Sequence, residues 1–173
     1  YDGFTTIIST DADLPVAQEV TGTTVTAANV VTELGKVVDA IPDRLYGKED
    51  MRIYVATNVY KAYTRALGGF AANGQGAAGV NAQGNNQSLA ALEFDGVKLF
   101  MTYGLAANTM FASTVSNLKF GTGLLADHSE VQLIDMAPID GSKNVRFIMR
   151  FTAAVQYLFA KDIVTYGIPN SAN

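Results

Sequence analysis

The 173-residue chain contains no cysteine. Disulfides, thiolate nucleophiles and cysteine-held metal centres are excluded together, and the sequence suits a reducing compartment or one that does not rely on cross-links. It has a single histidine, His128, so a zinc site or a histidine-based triad lacks the partners it would need. Charge is scarce: 16% of residues are charged and 49% hydrophobic, where an ordinary soluble chain carries about 25% charged residues. Such a surface is more apolar than a free monomer favours, which points to burial against neighbours. Lys and Arg are scattered singly under a net charge of −4, so no stripe tracks a phosphate backbone and no specific nucleic-acid site is expected. No apolar run approaches the ~20 residues of a membrane helix. The longest candidate, 147–159, is interrupted by Arg150, Thr152 and Gln156, so a soluble protein with no membrane partner is expected. The opening Tyr1-Asp2-Gly3-Phe4 has neither an initiator Met nor a signal-peptide pattern, and it reads as a chain that has lost its beginning.

What is present changes character along the chain. Residues 1–19 are a connection of no assigned type, with Phe4, Ile7 and Ile8 as a short apolar patch, Asp2 placed to cap a helical turn, and 11–15 reading as a turn. From Thr26 the spacing of Val30, Leu34, Val37 and Ile41, widened by Val31 and Val38, predicts a helix stopped by Pro42. A short strand at 53–56 follows, then Asn58 as a cap and a second helix with Val59, Tyr60, Tyr63 and Leu67 inward, ended by Gly68-Gly69. Residues 68–88 are rich in Gly, Asn, Gln and Ala, without one charge, and read as a long mobile loop. Strands at 92–94 and 97–102 joined by Asp95-Gly96 form a hairpin, and a further strand covers 109–114. A turn-rich stretch at 117–127 precedes a strand at 131–136 and a turn at Asp140-Gly141. Residues 144–159 read as one long strand with Val145, Phe147, Met149 and Phe151 on one side and Arg146, Ile148, Arg150 and Thr152 on the other. A last strand at 163–166 precedes a Pro-Asn-Ser tail expected to fray. Helices early and strands late give an α+β fold class.

Four chemical motifs fail a test of context, and two side-chain groups stay open. Gly74-Gln75-Gly76-Ala77-Ala78-Gly79 matches a dinucleotide-binding pattern, but a helix end precedes it and unpatterned Asn-rich sequence follows, where strand and helix are required. Beside His128, Asp127 and Glu130 do not complete a metal set, and no Gly-x-Ser-x-Gly elbow occurs. Asp11 and Asp13 lack the turn glycine and closing Glu of a calcium loop. Asn86-Gln87-Ser88 matches a glycosylation acceptor, a triplet frequent in Asn-rich loops. Tyr54, Tyr60 and Tyr63 read as a cluster, either a platform for a base or sugar or simply core. Arg146 and Arg150 share one strand face, either pairing with carboxylates of a neighbouring subunit or standing solvated. No cofactor and no catalytic residue is assigned.

Several segments resemble the major capsid proteins of tailed bacteriophages, with the Hong Kong 97-type fold, in the C-terminal portion of that family. They are the Ile41-Pro42 helix exit, Tyr54-Val55-Ala56-Thr57-Asn58 leading into a helix, Phe94-Asp95-Gly96-Val97, Asn117-Leu118-Lys119-Phe120-Gly121-Thr122-Gly123, and Asn144-Val145-Arg146-Phe147. The resemblance runs from the Thr26 helix to Gly167. It implies an axial domain at 20–136, a peripheral-domain strand region at 137–160 and a strand returning to the axial domain at 161–167, without the N-terminal arm, the extended loop and most of the spine helix. It implies a structural subunit that assembles with copies of itself into pentamers and hexamers of a virion shell, built in the host cytoplasm, rather than an enzyme. Candidate contacts between copies are Gly69, Phe70, Gly74, Gly76, Gly79, Asn85 and Asn86 in the loop, where a neutral segment avoids like-charge repulsion at a crowded ring centre, and Arg146 and Arg150 on the strand. Some family members form a Lys–Asn isopeptide bond assisted by a Glu. Asn144 matches that Asn, whereas Phe151 stands at the Glu position, so no such bond is expected. The alternatives are an encapsulin-like compartment shell, a secreted β-rich binding domain using the tyrosines, and, third, an enzyme.

Overall fold

A computed structural model describes residues 2–66, 92–123, 131–141, 143–149 and 152–172. The expected loop at 68–88, with Leu67, Gly69, Phe70, Gly74, Gly76, Gly79, Asn85 and Asn86, lies outside the described residues, as do His128, Arg150 and Phe151.

The architecture is α+β. A mixed six-stranded sheet has the order β1-β10-β5-β2-β4-β3, from β1 (Glu19–Val20), β10 (Ile163–Tyr166), β5 (Met110–Thr114), β2 (Met51–Ala56), β4 (Val97–Thr102) and β3 (Leu92–Phe94). The β1–β10 and β2–β4 pairs are parallel and the others antiparallel. Two helices, α2 (Val30–Asp39) and α3 (Thr57–Ala66), pack on one face. Their inward side chains, Val30, Leu34, Val37, Val59, Tyr60 and Tyr63, meet Ile53, Val55, Leu99 and Met110 in the main core.

Helix α2 departs from the expected frame at both ends. It starts at Val30 rather than Thr26, because Asn29 Oδ1 accepts from the backbone N–H of Thr26 (2.7 Å) and its Nδ2 donates to the Thr24 carbonyl (2.9 Å), folding 24–29 into a turn. Val31 does not widen the buried stripe but stands 50% exposed. Helix α3 begins directly at the end of β2, and Asn58 is no cap. Its Nδ2 donates to Asn108 Oδ1 (2.7 Å) and its Oδ1 accepts from the Asn108 N–H (3.0 Å), tying the helix start to a residue with φ +62. The β3–β4 hairpin forms as expected: Asp95 and Gly96 both take positive φ (47 and 75), the primed turn that matches strand twist. Tyr63 holds it by donating to the Glu93 carbonyl (2.8 Å) and meeting Phe94 edge to face.

The second half differs more. The stretch 144–159 is two strands, not one: β8 (Val145–Met149) pairs with β7 (Val131–Asp135), whereas β9 (Ala153–Tyr157) pairs with β6 (Leu118–Thr122). The expected turn-rich segment after Asn117 is therefore itself a strand. Both pairings are antiparallel and follow one another along the same two chain runs, so β6–β9 and β7–β8 are successive paired parts of one out-and-back ribbon. Just beyond the β6–β9 pairing the Gly123 N–H donates to Thr152 Oγ1 (3.0 Å). At the far end the one-turn helix α4 (Ala137–Asp140) closes on Gly141 with φ +72, and the Met136 N–H donates to the Asn144 carbonyl (3.0 Å).

On the other side of the sheet a smaller core joins Ile8, Leu14, Tyr157 and Ile163 with Phe4, Ile7 and Leu118. Helix α1 (Phe4–Ile8) thus packs against the ribbon's start, capped at Gly3 without a side-chain bond from Asp2. The C-terminal tail is tied rather than frayed: Asn170 Nδ2 donates to the Asp11 carbonyl (2.8 Å) and Glu19 Oε1 (2.9 Å), and the Ser171 N–H to the Ser9 carbonyl (2.9 Å).

Candidate assembly surface

The ribbon carries much of the exposed apolar surface of the described residues. Of the 14 large hydrophobic side chains exposed among the described residues, nine lie between 118 and 159: Phe120, Val131, Leu133, Ile139, Val145, Phe147, Met149, Leu158 and Phe159. Period-2 alternation explains their grouping, since Val131 faces Met149, Leu133 faces Phe147 and Asp135 faces Val145 on one side, with Gln132, Ile134, Arg146 and Ile148 on the other. Leu133 is 69% and Phe147 62% exposed. No described helix packs broadly on β7 and β8. A two-stranded ribbon is marginal in water by itself, and a contiguous apolar face of this kind marks a contact surface.

Arg146 stands exposed opposite Ile134. It takes part in neither of the two ion pairs among the described residues, Glu33–Lys36 and Arg44–Asp162. It remains placed on the ribbon's surface, whereas its expected companion Arg150 lies outside the described residues.

The tyrosine cluster read from the sequence is divided by the sheet. Tyr60 and Tyr63 belong to the main core beneath α3, but strand alternation sends Tyr54 to the opposite face. There its ring stacks on Phe111 (4.8 Å between centroids, 19°) beside Phe100, over which the Arg52 guanidinium lies 4.5 Å from the centroid. Burial raises the Tyr54 hydroxyl above its ordinary pKa, only partly countered by Arg52, so it stays a neutral phenol.

Beside the ribbon's start an open cleft of about 700 Å³ is lined by Asp11, Asp13, Arg44, Tyr157, Phe159 and Asp162, among others. Four of its side chains are engaged within the chain. Arg44 pairs with Asp162 and donates to the Lys161 carbonyl (2.7 Å), and the Tyr157 hydroxyl donates to Asp11. Burial, followed by the Asp11 carboxylate, pushes the Tyr157 phenol well above its usual range, which makes it a fixed donor and not a base. Among the described residues no group of three or more His, Cys, Asp or Glu could hold a metal ion. No described helix is long and apolar enough to cross a membrane. Asn117 at the ribbon's start, whose buried amide bonds on both sides, escaped the sequence reading, because an Asn in a turn-rich stretch looks like any turn residue.

No protein-family model matches the chain, and no curated protein is similar to it. Solved structures are. A chain of Mycobacterium phage Che8 superposes with a TM-score of 0.61 at 12% identity, covering 92% of this chain and 57% of its own length. A chain of the Cyanophage A-1(L) capsid asymmetric unit superposes with a TM-score of 0.46 at 14% identity, covering 87% of this chain and 49% of its own. At 12% identity the first likeness is one of fold, and this chain spans little more than half of that phage chain.

Proposed function

We propose that the chain is part of a bacteriophage major capsid protein, a structural subunit that joins copies of itself into the rings and closed shell of a virion. The observation that carries the reading is the projecting ribbon with its exposed apolar face, on a fold shared with a phage chain. The capsid-like segments at 41–42, 54–58, 94–97, 117–123 and 144–147 support it. In this reading 20–136 is the axial domain, to which the strand at 161–167 returns, and 137–160 is the peripheral strand region, whose β8 and β9 pair with β7 and β6. The loop residues Gly69, Phe70, Gly74, Gly76, Gly79, Asn85 and Asn86, and Arg146 and Arg150, are contacts between copies.

The energetics favour a shell over a pair. Covering Val131, Leu133, Val145, Phe147 and Met149, which are between half and two-thirds exposed, contributes about 5–8 kcal/mol. Association costs roughly 4–15 kcal/mol in lost freedom. One ribbon contact therefore gives a weak pair, and stability comes when head-to-tail contacts close a ring and every subunit is held on two sides. The test is negative-stain electron microscopy of protein expressed from the complete reading frame. Closed shells or five- and six-membered rings are expected; uniform monomers across salt and pH would overturn the reading.

A further inference from the structure

The ribbon joins the body of the protein at two chain crossings, outward from Asn117 to Leu118 and back from Tyr157 to Leu158. Asn117 is buried between them (3% exposed). A side-chain amide has two acceptor positions and two donor hydrogens, and here all four are used. Oδ1 accepts from the backbone N–H groups of Leu158 (3.1 Å) and Phe159 (2.8 Å). Nδ2 donates to the Phe159 carbonyl (2.9 Å) and to Ser113 Oγ (3.2 Å). The Leu158 N–H also reaches the Asn117 carbonyl (3.0 Å). One side chain thus ties the outgoing run, the returning run and β5 of the central sheet. The opposite flank of the crossing is apolar packing of Leu118 and Tyr157 with Ile8, Leu14 and Ile163, which resists separation but sets no angle.

We infer that Asn117 is the clamp that fixes the direction of the ribbon relative to the sheet. Directional hydrogen bonds to three backbone groups of one run and one side chain of the sheet define an orientation that packing alone does not. Beyond this crossing no described element packs broadly on β7 and β8, and a small rotation at Asn117 is amplified along β6 and β9. The consequence for assembly rests on the capsid reading: copies whose ribbons point differently cannot make identical contacts. The clamp itself does not depend on that reading.

Because the chain has no cysteine, two introduced ones carry spin labels without background. Lys61→Cys on α3 and Thr122→Cys at the end of β6 are both exposed positions. Pulsed electron resonance on the 173-residue chain is expected to give one narrow distance distribution. In Asn117→Ala its width roughly doubles while far-ultraviolet circular dichroism stays native, and Asn117→Asp, which keeps the acceptor and loses both donors, falls between. A broad distribution in the parent, or a parental width in a folded variant, would overturn the clamp. Hydrogen exchange of the unsubstituted chain decides the matter if neither variant folds. The Leu158 and Phe159 amides are expected to exchange at least about tenfold more slowly than the amides of β7 and β8, and equal rates would sink the proposal. Failure of the complete protein to assemble, with a narrow parental distribution, would strike the capsid reading and leave the clamp standing.

Discussion

Tyr166, Glu33, Lys36 and Thr23 form a network in which one carboxylate serves three segments. The Tyr166 hydroxyl donates to Glu33 Oε2 (2.7 Å) and accepts from the Thr23 N–H (3.0 Å), and Lys36 Nζ reaches both Glu33 oxygens (2.9 Å). Burial pulls the Glu33 carboxyl upward, but the bonds from Tyr166 and Lys36 and the Lys36 charge outweigh it and leave the group below its ordinary value of 4.5. A folded pKa below the unfolded one means a contribution complete above about 4.5 and lost as pH falls through the folded value. Denaturant unfolding is therefore expected to show stability declining below pH 4.5, with a shallower decline in Glu33→Gln; equal slopes would refute this role. A second tight place lies alongside. A Cβ on Gly22 would sit 2.4 Å from Gly167 Cα, and Gly167 has φ +68 with its own absent Cβ 2.9 Å from the Asn108 carbonyl. Gly22→Ala is expected to cost on the order of 2–4 kcal/mol in chemical denaturation, because backbone and not a flexible side chain must move.

Among the elements, the ribbon and the β3–β4 hairpin show the same local structure with opposite fates. The hairpin is absorbed, with β4 hydrogen-bonded to β2 and Tyr63 bonded to Glu93. The ribbon keeps its apolar face outward. Replacing Leu133 and Phe147 together by Ser removes apolar surface that has no broad packing partner among the described residues. The expected result is a midpoint of unfolding changed by less than about 0.5 kcal/mol, lower binding of a hydrophobic dye, and loss of rings or shells from the complete protein. A large loss of stability with assembly intact would show that the face packs internally.

Taken whole, the protein has few charges to hold copies together or apart, and only two ion pairs occur among the described residues. Association driven by the ribbon is accordingly expected to be insensitive to salt. Light scattering of the complete protein should change little between about 0.05 and 0.5 M salt, although the screening length shortens roughly threefold. Dissociation across that range would point to charge pairing, with Arg146 the first residue to test.

Local rules were enough for much of this fold. The Asp95-Gly96 hairpin, the inward stripe of α2, the inward residues of α3 and the strands at 110–114, 131–135 and 163–166 were legible because turn φ preferences and hydrophobic periods act over a few neighbouring residues. Low charge likewise agrees with the exposed apolar face of the ribbon. Other features needed the folded chain. Residues 144–159 are β-prone throughout, and nothing local marks where β8 leaves β7 and β9 takes up β6, because strand partners are set by register across distant segments. The tyrosines divided once the sheet gave Tyr54 one face and α3 the other. Asn58 left its expected cap for Asn108, and Asn117 became a junction only when Leu158 and Phe159 returned beside it. Alternation shows which residues share a face of the ribbon, but only the packed structure decides whether that face is covered, since burial depends on what else arrives there in space.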